Sequence, residues 1–276
     1  WFEILAARDD ATLVLEALAR TGAVELEARS GSAMPAELGA VMPLLAQFLE
    51  LASRYRAYWP APQDCRPSPF PEAPAATLQR CLATIRAWAQ DAEPVVRALQ
   101  RGASERSELQ LWQLVLDEWA SSGLDPSHFA AAGPLVQARL FVLPAATDAE
   151  AAAPLGTPGL ELLASTRQID GAPHLLVAGP PDALQALALR VTTLKGSVHE
   201  VPGWLHADPG ANRSYVQQRL QLLEREQADL NAALASFSQR HDLPRALGDA
   251  NRLQWVMHNV NALEAGELFC WITGWS

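Results

Sequence analysis

A seam of positions spaced alternately by four and three runs through Val216, Leu220, Leu223, Gln227, Leu230, Leu234 and Phe237. Only an α-helix gathers that spacing onto one stripe, and a stripe so apolar must be covered by another element. Arg219, Glu224, Arg225, Glu226 and Asp229 fall between the seam positions, the mixed charges of a solvated coiled-coil flank. At 1.5 Å rise per residue, an arm of about thirty residues spans roughly 45 Å. A matching seam lies earlier, at Leu38, Val41, Leu45, Phe48, Ala52, Tyr55 and Trp59. Pro60 and Pro62 stop it, and the proline-rich stretch Pro67 to Pro74 forms a non-helical connection. The rhythm resumes at Leu78, Leu82, Ile85, Ala89, Ala92, Val96 and Leu99. Gly102 reads as a break or weak point, and Leu109, Trp112, Leu116 and Trp119 carry a further helix ending at Gly123. The economical solution pairs the outgoing and returning arms antiparallel, each burying the other's stripe.

The sequence outside the arms has strand character. Trp1 to Leu5 is a strand by alternation and β-propensity. Asp9 or Asp10 offers an acceptor to the first N–H groups of a helix carrying Leu13, Ala17 and Leu18, which Gly22 ends. Val24 and Leu26 alternate with Glu25 and Glu27 in a second strand, parallel to the first because a crossover helix joins them. Between Leu135 and Gly203 strands are expected at Val136 to Leu143, His174 to Ala178 and Ser197 to Val201. A loop is expected from Ala145 to Pro158, a short helix from Leu160 to Ala164, and a helix with Leu184, Leu187 and Val191. After Pro244 a last helix is expected to carry Leu253, Val256, Val260 and Leu263. Leu268 to Ile272, apolar on both faces, then reads as a central strand completing the N-terminal sheet.

The expected fold class is α+β or α/β: two small α/β lobes (βαβ, ferredoxin-like) on a long antiparallel coiled-coil bar. Residues 1–30 with 244–276 form the proximal lobe, 31–133 the outgoing arm and helices, 134–205 the distal lobe and 206–243 the returning arm. For 276 residues, two modest domains are the natural division.

Charge and motif content narrow the function. A net charge of −10 argues against nucleic acid as a partner and favours basic protein surfaces. Lys195 is the single lysine, so arginine supplies every other cation. Cys65, Cys81 and Cys270 form no CxxC pair, which fits a reducing, cytoplasmic setting. His128, His174, His199, His206, His241 and His258 never fall at HxxxH or HExxH spacing. Gly179-Pro180-Pro181-Asp182 follows a strand, but proline removes the N–H groups a phosphate loop needs, so it reads as a turn. No serine sits in a GxSxG elbow. Trp88, Trp112 and Trp119 read as packing residues. Arg54-Tyr55-Arg56 with Tyr58 and Trp59 reads either as a contact patch or as a helix end with snorkelling arginines. No uncharged apolar run is long enough to span a bilayer, so this stretch alone is expected to be soluble. Trp1 in place of a methionine predicts that residues precede it.

The ending Gly266-Glu267-Leu268-Phe269-Cys270-Trp271-Ile272-Thr273-Gly274-Trp275, taken with this order of strands and arms, resembles the N-terminal cytoplasmic domain of the V/A-type rotary ATPase subunit I / subunit a family. The likeness spans essentially the whole chain as organisation, with Gly274 and Trp275 its one compact signature. It implies a non-catalytic stator arm of a proton- or sodium-translocating ATPase, at the cytoplasmic face of the membrane. Its implied partners are peripheral-stalk coiled-coil heterodimers, its own membrane domain and, through that domain, the rotor ring. It implies no catalytic residue, cofactor, metal or small-molecule ligand here, because the ion path and its essential arginine belong to a further C-terminal half. Asp64 to Pro74 is more proline-rich than a smooth arm of that family, so the outgoing arm is expected to break there. The competing reading is a regulatory module with two ACT-like or ferredoxin-like effector-binding lobes, and a third is a generic coiled-coil scaffold.

Overall fold

The computed structural model describes residues 2–7, 10–26, 40–61, 73–119, 125–129, 135–145, 162–259, 263–265 and 269–275. The fold mixes helices and sheets in two compact units: Trp1–Gln100 with Ala228–Ser276, and Arg101–Gln227.

The first unit opens with β1 (Phe2–Ala7), α1 (Ala11–Thr21) and β2 (Glu25–Leu26). Gly22 ends α1 at φ 62°, where its N–H bonds the Ala19 carbonyl. Asp10 occupies the N-cap but, contrary to expectation, makes no side-chain cap bond. It is in the right-handed helical region (φ −92°, ψ −3°), and not in the extended conformation that swings a carboxylate over the first N–H groups. Asp9 lies outside the described residues.

The sheet of this unit is built around β8 (Phe269–Trp275), which has β1 along one edge and both β7 (Leu263–Ala265) and β2 along the other. All three pair antiparallel with it: Ile4 faces Ile272, Leu263 faces Ile272 and Leu26 faces Gly274. β1 and β2 therefore run parallel, as their crossover helix demands, with the last strand inserted between them. Leu263, expected on the last helix, is in β7. That helix, α6 (Leu243–Asn259), ends four residues earlier because pairing with β8 takes Leu263 into the sheet. Val260 and Leu268 fall outside the described residues.

On one face of the sheet Ala6 and Ile272 join Leu15 of α1 and Leu253 and Met257 of α6 in the core. The core continues through α2 (Met42–Tyr55), whose Leu45, Phe48, Ala52 and Tyr55 are buried at the expected spacing. Leu38 is outside the described residues. Trp59 follows a 3₁₀ turn (Arg56–Tyr58) and stacks on Phe48 with ring centroids 5.8 Å apart.

α3 (Pro74–Trp119) is one helix of 46 residues, so of the break or weak point expected at Gly102 the break is absent. A glycine costs a helix only about 1 kcal/mol relative to alanine. That is outweighed by the stripes on either side: Leu78, Leu82, Ile85, Trp88 and Val96 in the first unit, and Leu109, Trp112, Leu116 and Trp119 in the second, are all buried. The helix also accommodates Pro94. It ends at Trp119; Gly123 lies outside the described residues.

The second unit holds β3 (Gln137–Val142), β4 (Leu163–Ile169), β5 (Ala172–Gly179), α4 (Pro181–Thr193), β6 (Ser197–Glu200) and the start of α5 (Pro209–Arg240). Its sheet order is β4-β5-β3-β6, every neighbour antiparallel. β4 corrects the short helix expected over Leu160 to Ala164. Asp170 and Gly171 take φ 51° and 77°, the paired positive angles of a two-residue hairpin turn, and they fold 163–169 back along β5. Among the described residues this sheet has one crossover helix, α4, where a ferredoxin-like lobe has two. The loop expected from Ala145 to Pro158 lies almost wholly outside the described residues. One sheet face packs Phe141, Leu175 and Val177 on Leu184, Leu187 and Val191 of α4. The other packs Leu140, Ile169 and Leu176 on Trp112, Val115 and Trp119 of α3. The buried tryptophans are thus packing residues, as expected.

Candidate functional site

The two signature positions sit where the first sheet closes. Gly274 is buried in β8 between Phe2 and Leu26. A Cβ there would meet the Glu25 carbonyl and come within 2.9 Å of the Phe2 ring, so only glycine admits both neighbours. Trp275 pairs with Glu25 and stays 56% exposed.

Polar side chains otherwise gather into clamps between helices. In the first unit Glu93 of α3 takes hydrogen bonds from Arg54 (2.5 Å), Tyr55 (2.5 Å) and Arg97 (2.7 Å). The Tyr55 hydroxyl and Arg97 hold the Glu93 carboxyl below its usual range, while burial and that same carboxylate push the Tyr55 phenol up. Arg54 also lies over the Tyr55 ring, 5.2 Å from its centre. The Arg54-Tyr55 pair is therefore engaged within the chain, which favours the helix-end reading of that segment over the contact patch. Asp91 pairs with His241 at 2.9 Å and with Arg240 at 3.7 Å. Deeper in, Glu16 and Asp249 share Arg252, and Glu16 also binds Arg20 (3.0 Å). Cys81 lies in this core with its thiol pushed up to about 12, chiefly by burial and then by Asp249. A thiol held in that form is a poor nucleophile.

In the second unit Arg219 of α5 grips Glu105 of α3 with both fork nitrogens, at 2.6 and 2.9 Å, and reaches Glu226 at 3.1 Å. The pairing lowers the Glu105 carboxyl and raises the Arg219 guanidinium further. Arg213 binds Asp117 and the Leu116 carbonyl. Partners on α5 thus descend from 219 to 213 as those on α3 rise from 105 to 117, so the two segments run antiparallel here. Leu109 and Leu116 of α3 share one core cluster with Val216 and Leu223 of α5 beside these clamps. Asn212, fully buried, donates to Ser127 and to the His206 carbonyl, and accepts from the His206 N–H. It ties the start of α5 to the 3₁₀ turn Pro126–Phe129.

These charged groups pair with one another, while the Nε of Arg20 is buried without a hydrogen-bond partner among the described residues. Among the described residues no group of three or more His, Cys, Asp or Glu side chains could hold a metal ion. No described helix is long and apolar enough to cross a membrane.

No protein-family model matches the chain, and no curated protein matches it. Among solved structures it matches one described as the cytoplasmic N-terminal domain of subunit I, homolog of subunit a, of V-ATPase. The chain is similar to that domain. The match covers 99% of this chain and 92% of the other, at 17% identity and a TM-score of 0.38. The partners in most of the clamps lie far apart in the chain, 38 residues for Tyr55 and Glu93 and 114 for Arg219 and Glu105, which hides them in the sequence. Only the apolar seams that bring α3 and α5 together could have pointed to Arg219 and Glu105.

Proposed function

We propose that this chain is a non-catalytic stator arm of a V/A-type ATPase, acting at the cytoplasmic face of the membrane. It links a membrane-embedded ion-channel half to the peripheral stalks and resists the torque of the rotor. In this reading 1–30 with 244–276 form a proximal lobe, 134–205 a distal lobe, and the arms between them an antiparallel coiled-coil bar. The observation that carries the reading is the closure of the first sheet by β8, whose Gly274 admits the Phe2 ring and the Glu25 carbonyl. These last residues are the ones on which the family resemblance rests. The clamps between α3 and α5 support it too, since a stator must transmit force without yielding. Each exposed pair contributes about 0–1 kcal/mol, but the two-pronged Arg219–Glu105 bridge also fixes helix register.

The test is calorimetric titration of the whole chain with the peripheral-stalk heterodimer of the same organism. Micromolar binding that weakens as salt rises is expected, because the acidic chain should meet basic residues on the stalk end. Absence of binding at low salt would remove the stator assignment.

A further inference from the structure

We propose that the free edge of β4 pairs with β4 of a second copy of this chain, antiparallel about a twofold axis at Thr166. Among the described residues β4 pairs with β5 along one edge and with no strand along the other. Register tells which backbone groups face the free edge. The Leu143 N–H donates to the Pro173 carbonyl, so Pro173 turns that carbonyl towards β3. Its neighbour on β4, Gln168, is therefore in a non-hydrogen-bonded pair and points its own N–H and carbonyl outwards. Alternation extends this to Thr166 and Ala164. All three are exposed, whereas Ser165 and Arg167 are half-buried and Ile169 is buried. The Thr166 carbonyl accepts from the Arg167 guanidinium at 3.2 Å and keeps a second lone pair for a ladder.

Sheet edges are commonly blunted by shortness, proline, a bulge or lysine. β6, at the opposite edge, is only four residues long. β4 has seven, contains no proline, glycine or lysine, and pairs one to one with β5 without a bulge. Its one charge, Arg167, is drawn over the Trp119 ring, 6.0 Å from the centre.

The strand's own sequence decides the occupant. Centred on Thr166, two antiparallel copies set Thr166 on Thr166, Ala164 on Gln168, Ser165 on Arg167 and Leu163 on Ile169. Every outward residue then falls in a hydrogen-bonded pair, and threonine meets threonine. Leu163, 54% exposed, gains an apolar neighbour, and no like charges are directly opposed. An axis at Arg167 would oppose two arginines, and one at Ser165 would carry Gln168 past the end of the other strand. Seven residues make a small interface and each copy carries −10, so the dimer is weak and salt strengthens it. The inference rests on the second sheet alone and goes beyond the stator reading.

The test is sedimentation of the whole chain over a concentration series. A reversible dimer with a Kd on the order of 100 µM is expected, tightening as salt rises. Thr166→Pro removes only an outward N–H, so it should abolish the dimer and leave the melting temperature nearly unchanged. Two exposed positions test the register. Ala164→Lys with Gln168→Glu should tighten the dimer about fivefold, and Ala164→Glu with Gln168→Glu should weaken it about fivefold. Thr166→Cys should form an intermolecular disulfide under a mild oxidant at least about tenfold faster than Ala164→Cys, since on a twofold axis residue 166 meets itself. A chain still monomeric at about 1 mM overturns the proposal. So does a dimer that persists in Thr166→Pro or ignores both charge pairs. Loss of stalk binding in Thr166→Pro by a monomeric chain overturns it too, and gives the edge to a strand of the partner.

Discussion

The two sheets solve one problem with different parts of the chain. Each contains a strand–helix–strand crossover whose strands are parallel but separated by an antiparallel strand: β1-α1-β2 around β8, and β5-α4-β6 around β3. In the second sheet the inserted strand is local, and all four strands lie between 137 and 200. In the first it is the last strand of the sequence, paired with the first. Closing a long loop costs entropy before any contact rewards it, so the first sheet is the later and more conditional of the two. A local sheet survives loss of a distant segment, whereas one made from both chain ends does not.

The sharpest way to break this contrast is to remove residues 269–276. The β1 amides should then lose protection from hydrogen exchange, because a strand of that sheet is left without its central partner, while β3 to β6 keep theirs. Protection of β1 in the truncated chain would show that α1 alone holds it. Next in size are the buried tryptophans. Trp88→Ala in the first unit and Trp112→Ala in the second should each cost about 3–5 kcal/mol. Denaturant titration followed by amide exchange should assign each loss to its own unit, and a shared loss would mean the units unfold together.

Glycines give a finer comparison. Gly274→Val drives side-chain atoms into Phe2 and the Glu25 carbonyl, with an expected cost of about 2–3 kcal/mol confined to the first sheet. Gly171→Ala has open space around it but must keep a positive φ of 77°, so about 1 kcal/mol is expected. Equal costs would contradict the distinction between a packing glycine and a turn glycine.

Acid titration should give the smallest effect. Burial, helped by His174, lowers the His199 pKa from its ordinary 6.5. The unfolded chain therefore takes up that proton first, and stability is whole above about pH 6.5 and falls as pH drops through the depressed value. Glu105, lowered by Arg219 from an ordinary 4.5, contributes stability that is present above that value and lost as pH falls through its own depressed one. Melting curves of the second unit should show both steps, and His199→Gln should erase the upper one only. An upper step that persists in His199→Gln would assign it to another group.

Much of this was legible because apolar period survives any tertiary context. Val216, Leu223 and Leu234 of one seam, and Leu45, Phe48, Ala52 and Tyr55 of the other, are buried, whereas Leu220, Leu230 and Phe237 are half-buried and Gln227 is exposed. The strand Leu163–Ile169 was not read because an edge strand lacks an apolar face: Ser165, Thr166, Arg167 and Gln168 hide the alternation. Asp170-Gly171 was the available signal. Gly102 misled because local propensity counts for little against two buried stripes. Arg97 lies four residues from Glu93, but the Arg54, Tyr55 and Arg219 partners of Glu93 and Glu105 were out of reach, since packing and not spacing sets them.

The claim that the chain grips a peripheral stalk is tested most directly by amide hydrogen exchange on the whole chain, with and without the stalk heterodimer. Exchange should slow mainly between residues 135 and 203, and the effect should diminish as salt rises. No change there at saturating heterodimer, or protection confined to the first unit, would contradict it.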